Sequence, residues 1–63
     1  MKTKTYIISN DIYDSSKIEA AISDFSDIWT IQYEKWFLYI SFSEDSNEAD
    51  EIFAEFMNYV LAL

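Results

Sequence analysis

The chain has 63 residues and a formal net charge of −8, from twelve Asp and Glu against four Lys. This charge argues against direct binding of nucleic acid or of an anionic membrane, because both need clustered basic side chains. His and Cys are both absent, which excludes disulfides and thiolate metal sites and removes the commonest group for acid–base catalysis.

The length predicts one domain with a thin margin of stability, because a short chain buries a small share of its surface. Residues 1–12 hold no apolar run of signal-peptide length, and Glu55 and Asn58 interrupt the apolar C-terminal stretch. We therefore expect neither a signal peptide nor a membrane span. A chain this small without disulfides favours a reducing cytosol.

The first predicted strand covers residues 3–9. Alternation places Tyr6 on one side with Ile8 and leaves Ile7 on the other. The pattern does not settle which side is buried. A turn is expected to begin at Asn10.

Two caps compete for the start of the first predicted helix. With Asp14 as N-cap, Tyr13 and Ile18 form a hydrophobic staple; with Ser16 as N-cap, Glu19 completes a capping box. Four apolar residues then follow the i, i+3, i+4, i+7 spacing of one helix face: Ile18, Ala21, Ile22 and Phe25. The helix should end near residues 25–27.

The second predicted strand covers residues 28–33, and Glu34 and Lys35 are the expected hairpin tip. This pair is unusual for a tight type I′ turn, which prefers Asn-Gly. A longer or looser connection is therefore an alternative.

The third predicted strand is the most strand-like stretch of the chain and is expected at the centre of the sheet. Its alternation predicts two faces. One face, expected under the helices, consists of Trp36, Leu38, Ile40 and Phe42. The other is open and begins with the aromatic residues Phe37 and Tyr39.

Ser46 or Asn47 is expected to cap the second helix. Its first turn is expected to hold three carboxylates, which interact favourably with the positive end of the helix dipole. These are Glu48, Asp50 and Glu51. Its apolar stripe has helical spacing and includes Ala49, Ile52, Phe53, Phe56, Val60 and Leu63, with Met57 beside it.

The element order is therefore β-α-β-β-α, which predicts an α+β domain covering residues 1–63. A right-handed crossover from the first strand to the second leaves a gap that the third strand can fill. The result is a three-stranded antiparallel sheet of order 1-3-2, a truncated ferredoxin-like arrangement with both helices on one face. An order of 1-2-3 uses the same elements and stays open.

The residues indicate binding rather than catalysis, and we predict no enzyme and no cofactor. An uncovered sheet face with aromatic side chains is a plausible docking surface, and its candidate residues are Tyr6, Phe37 and Tyr39. The partner could be a peptide, another protein or a second copy of the chain. An extended peptide could also pair with the backbone of either edge strand.

A set of carboxylates forms a candidate acidic surface: Glu44, Asp45, Glu48, Asp50, Glu51 and Glu55. The set lacks the alternating ligands and the glycine of a calcium loop, so we predict no metal site. The alternative is an acidic inhibitor that imitates nucleic acid. It requires one continuous row of carboxylates, which we expect to include Asp24 and Asp27 as well as most of this set.

Two segments resemble a known family. Residues 12–27, Ile-Tyr-Asp-Ser-Ser-Lys-Ile-Glu-Ala-Ala-Ile-Ser-Asp-Phe-Ser-Asp, are similar to the opening segment of the small HxsD-like proteins. Residues 55–61, Glu-Phe-Met-Asn-Tyr-Val-Leu, resemble the closing helix of that family. The resemblance implies an accessory protein that acts beside radical-SAM maturases in His-Xaa-Ser and related peptide-modification systems. It implies no catalytic residues.

Overall fold

The computed structural model describes residues 1–9 and 13–63. The elements follow in the order β1 (Lys2–Ile7), α1 (Ser15–Asp24), β2 (Ile31–Glu34), β3 (Phe37–Phe42) and α2 (Ser46–Ala62). The turn expected at Asn10 lies outside the described residues.

The sheet confirms the predicted fold class. The three strands have the order β1-β3-β2, and both pairs are antiparallel. Thr5 and Gln32 both pair with Tyr39, which fixes the register on either side of β3. The two helices cover one face of this sheet, and the order 1-2-3 is excluded.

Asp14 is the N-cap of α1, which decides between the two caps expected from the sequence. Its Oδ1 accepts hydrogen bonds from the backbone amide of Ser16 at 2.9 Å and from the Ser16 hydroxyl at 2.8 Å. These bonds hold the pKa of Asp14 below its usual value. The staple partners agree with this cap, since Ile18 is fully buried and Tyr13 packs against the core. The helix ends with Phe25 as its C-cap, within the expected range.

β2 begins at Ile31 rather than at residue 28, so the prediction of its start was wrong. The chain between α1 and β2 still turns at residues 25–28, and the amides of Ile28 and Trp29 both donate to the Phe25 carbonyl. Trp29 follows this turn and stacks on Phe25 with ring centroids 4.6 Å apart. The Trp29 ring therefore packs against the core although its residue is not part of the sheet.

The hairpin tip is Lys35-Trp36, one residue later than expected, because Glu34 still pairs with Phe37. Trp36 has φ of 77° and is 53% exposed. The prediction that Trp36 packs under the helices was therefore wrong. The rest of that face was predicted correctly, since Leu38, Ile40 and Phe42 are buried.

Asp45 caps α2, one residue before the earlier of the two expected caps, and its side chain accepts from the amide of Asn47 at 3.0 Å. Glu48 is the acidic residue of the first turn. Asp50 and Glu51 were expected in that turn but fall in the next. The apolar stripe is buried as predicted except at Phe53, which is half-buried, and at its end, where Leu63 is 44% exposed.

The core lies between the sheet and the two helices. It consists of apolar residues from both helices, from β2 and β3, and from the chain just after β1: Ile8, Ile18, Ala21, Ile31, Leu38, Ile40, Phe42, Ala49, Ile52, Phe56, Met57 and Val60. Among the described residues no buried side-chain polar atom lacks a hydrogen bond.

Candidate binding surface

The face of the sheet turned away from the helices is called the open face here. Paired residues of antiparallel strands share a face, so the register assigns eight strand positions to it: Thr3, Thr5, Ile7, Gln32, Glu34, Phe37, Tyr39 and Ser41. Glu34 is the one charged residue among the eight. Their other side chains are apolar, aromatic or neutral, which is the composition typical of an interface centre.

The most exposed apolar side chains of the open face lie at its hairpin end. Ile7 is 78% exposed, and its partner Phe37 is 41% exposed. The Phe37 and Tyr39 rings lie 6.5 Å apart at 25° to each other. The Tyr39 hydroxyl donates to Glu34 Oε2 at 3.5 Å. Phe37 and Tyr39 thus lie on the face where the sequence placed them.

Tyr6 lies on the other face, so its assignment to the open face was wrong. It pairs with the buried Leu38, and its ring stacks on Phe53 of α2 at 4.1 Å and 5°. Its hydroxyl donates to Asp50 Oδ1 at 2.7 Å. Two causes raise the pKa of Tyr6 well above its usual value: mainly the burial of the hydroxyl, and to a lesser extent its hydrogen bond to a carboxylate. Tyr6 anchors α2 to β1.

Asp50 takes part in the same contact between α2 and β1. Lys4 Nζ lies 2.7 Å from Asp50 Oδ1 and 5.5 Å from the centroid of the Tyr6 ring. The hydrogen bonds from Lys4 and Tyr6 hold the pKa of the Asp50 carboxyl below its usual value. Both side chains of the ion pair are more than a third exposed, so its electrostatic contribution to stability is small. Its effect is to orient the Asp50 carboxylate beside β1.

The other predicted acidic residues divide into two groups. Glu44 and Asp45 lie at the start of α2, where the Glu44 carbonyl accepts a bond from Lys2 Nζ at 3.2 Å. Three residues with i, i+3, i+7 spacing share an exposed side of α2, away from Asp50: Glu48, Glu51 and Glu55.

One further carboxylate reaches this side of α2 from α1. The Tyr59 hydroxyl donates to Asp24 Oδ2 at 2.5 Å, which raises the pKa of Tyr59. Tyr59 follows Glu55 by one helical turn, so Asp24 extends the row that Glu55 ends. Asp27 lies exposed in the turn after α1.

Trp36 adjoins the open face and was not among the predicted site residues. Its left-handed backbone is uncommon for a bulky residue, and it leaves the ring outside the core. Lys35 Nζ lies 5.5 Å from the centroid of this ring. The available sequence signal was the position of Trp36 directly after the expected tip at Glu34 and Lys35, because a shift of that tip by one residue moves Trp36 out of the strand and into the turn.

Other kinds of site find little support in the described residues. Their acidic side chains form no group that could hold a metal ion. A shallow cleft lies between the start of α1 and the end of α2, and is lined by Tyr13, Asp14, Lys17, Val60 and Leu61. Its charged groups are the carboxylate that caps α1 and one lysine.

No family model, curated protein or solved structure matches the chain. The resemblance to the HxsD-like proteins therefore stays a prediction. No helix within the described residues is long and apolar enough to cross a membrane.

Proposed function

We propose that this chain is a non-enzymatic recognition module that binds a peptide or protein partner through its three-stranded sheet. The observation that carries the proposal is the open face, where Ile7 and Phe37 are exposed among mostly uncharged neighbours. Exposed apolar residues grouped on one face are typical of protein interaction sites. The two helices carry seven charged side chains, whereas the open face carries one, that of Glu34.

The size of the open face favours a partner segment over a second copy of the whole chain. Three strands about 4.8 Å apart, of which the two longer ones have six residues, give a footprint of roughly 10–14 Å by 20 Å. A stable dimer usually buries about 800 Å² on each partner, and one extended segment or one helix needs less. A structural homodimer remains the competing proposal, and sedimentation at several concentrations tests it: a monomer throughout excludes it.

The biological setting of the proposal comes from the resemblance to the HxsD-like proteins. It makes the module a cytosolic accessory of a ribosomal-peptide modification system. Its partner is then the precursor peptide or the radical-SAM maturase encoded beside it.

Titration of the purified chain with each of those two partners tests the function. Binding should weaken at least tenfold in Phe37→Glu, which places a charge on the open face. Ala54→Glu is the matched control, since it adds the same charge to an exposed position of α2 and should leave binding unchanged. Failure to bind either partner contradicts the proposal, and so does an equal effect of the two substitutions.

An acidic mimic of nucleic acid is the second candidate, favoured by the row that Glu48, Glu51 and Glu55 form with Asp24. Such a mimic would compete with duplex DNA, and its binding would fall steeply with salt. The same titrations test this if they are repeated with duplex DNA present and with Glu51→Gln and Glu55→Gln. Binding that neither competitor nor substitution weakens contradicts the mimic.

A further inference from the structure

We propose that β1 receives an extended, basic segment of the partner as a fourth strand, antiparallel to β1. The inference rests on the proposed function and specifies how the sheet binds.

The backbone amides and carbonyls of β1 alternate between facing β3 and facing away from it. The Ile8 amide donates to the Trp36 carbonyl at 2.9 Å, and these residues continue the register of β1 and β3. In an antiparallel pair, alternate residues point their amide and carbonyl toward the partner strand. Lys4 and Tyr6 therefore face β3 like Ile8. The intervening Thr3, Thr5 and Ile7 direct both groups away from β3, and these groups are called the free edge of β1.

The position of α2 favours the edge of β1 for an added strand. A right-handed crossover that leaves β3 through α2 would place the next strand parallel to β3 and beyond β1. α2 already lies over β1, since Phe53 stacks on Tyr6. A strand at the free edge of β1 would thus lie next to an existing helix layer and run antiparallel to β1. The edge of β2 offers four residues rather than six.

The two lysines of β1 do not shield its edge. Lysine side chains often shield edge strands, but both lysines of β1 are drawn toward α2. Lys2 Nζ donates to the Glu44 carbonyl, and Lys4 Nζ donates to Asp50. The side chains that flank the free edge on the open face are those of Thr3, Thr5 and Ile7, which favour strand pairing.

The surroundings of Asp50 indicate the chemistry of the added segment. Lys4 and Tyr6 both donate to Asp50 Oδ1, and Oδ2 receives no hydrogen bond from the described residues. The side chain of Asp50 is 49% exposed. A Lys or Arg of the added strand on the helix side would reach Oδ2, and the net charge of −8 favours a basic segment. On the open face, a β-branched or apolar residue would pack beside Thr5 and Ile7.

A displayed library of random ten-residue peptides, selected on the unmodified chain, supplies probes for this edge. Enriched peptides should carry Lys or Arg together with alternating β-branched residues. The 63-residue chain can be synthesised with an N-methyl group on the Thr5 amide, which blocks the free edge without removing a bond to β3. Affinity for the enriched peptides should fall at least tenfold. N-methylation of Ile31, whose amide points to the edge of β2 by the same alternation, is the matched control and should have no effect.

Hydrogen exchange on the unmodified chain provides a measurement that depends on no variant. Bound peptide should slow exchange at the amides of Thr3, Thr5 and Ile7. The inference is overturned if no peptide is enriched, if N-methylation at Thr5 leaves affinity unchanged, or if these amides gain no protection. The proposed function fails separately, because it depends on whether the precursor peptide or the maturase binds at all. Binding of the maturase that Phe37→Glu abolishes and N-methyl Thr5 preserves would retain the function and reject the added strand.

Discussion

Replacement of Trp36 by Gly should give a more stable protein than replacement by Ala. Trp36 has φ of 77° at the hairpin tip, where a Cβ costs an L-residue roughly 1–2 kcal/mol. Both substitutions remove the same ring, so the loss of its packing cancels when the two variants are compared. Glycine also has the larger entropy in the unfolded chain, which ordinarily costs about 0.5–1 kcal/mol relative to Ala. The net advantage of Gly over Ala should be about 0.5–1 kcal/mol.

Ser41 provides the matched control for this comparison. It lies inside β3, where its amide donates to the Thr30 carbonyl at 3.0 Å. Its backbone is extended, so Ser41→Gly should be less stable than Ser41→Ala by about 0.5–1 kcal/mol. The order of Gly and Ala therefore inverts between the two positions.

Urea denaturation measures both pairs. Trp29 remains as a fluorescent reporter in the Trp36 variants, since it packs on Phe25 beside the core. With a slope of about 1 kcal/mol per molar urea for a small domain, the midpoints within each pair should differ by about 0.5–1 M. If Trp36→Ala is as stable as Trp36→Gly, the strained turn does not exist and the hairpin tip lies elsewhere.

Further predictions concern the contact between β1 and α2 and the pH dependence of stability. Tyr6→Phe should destabilise the chain far less than Tyr6→Ala, because it keeps the stack on Phe53 and loses one hydrogen bond; thermal denaturation of the two variants measures this, and equal losses would contradict the stacking. The lowered pKa of Asp50 adds stability above the usual carboxyl pKa of about 4 and loses it as pH falls. The wild type should therefore be more stable than Asp50→Asn at pH 6, and this difference in the free energy of unfolding should shrink as the pH is lowered to 3. A difference that does not change with pH would refute the reasoning. The raised pKa of Tyr6 has the opposite effect. Its contribution to the stability of the fold is complete below a pH of about 10 and declines above it. Tyr6→Phe should therefore lose less stability than the wild type when the pH is raised above about 10.

The topology could be predicted because local patterns and chain connectivity agree. The alternation after Phe37 identifies the central strand, and the stripe from Ala49 identifies the helix that covers it. A hairpin between β2 and β3, combined with a right-handed crossover, then places β3 in the gap beside β1. None of these steps needs a contact between distant residues.

The side of β1 that is buried could not be predicted, because Tyr6 and Ile7 are both large and largely apolar. The contacts that decide it come from Phe53 and Asp50, which follow β1 by more than forty residues. The phenolic hydroxyl reaches a carboxylate at the edge of the core, which Ile7 could not do. A polar group at the end of an aromatic ring thus selects Tyr6 for the helix side and leaves Ile7 exposed.

The exposed apolar end of the open face follows from the hairpin geometry rather than from Ile7 alone. The turn at Lys35 and Trp36 positions the Trp36 carbonyl to accept the Ile8 amide, and this bond fixes the last pair of β1 with β3. Once Ile8 faces β3 and is buried, alternation forces Ile7 onto the open face and directs its backbone to the free edge. Trp36→Gly keeps that carbonyl and removes only the ring. It therefore separates the two contributions: partner binding that survives in Trp36→Gly depends on the sheet, and binding that is lost depends on the tryptophan ring.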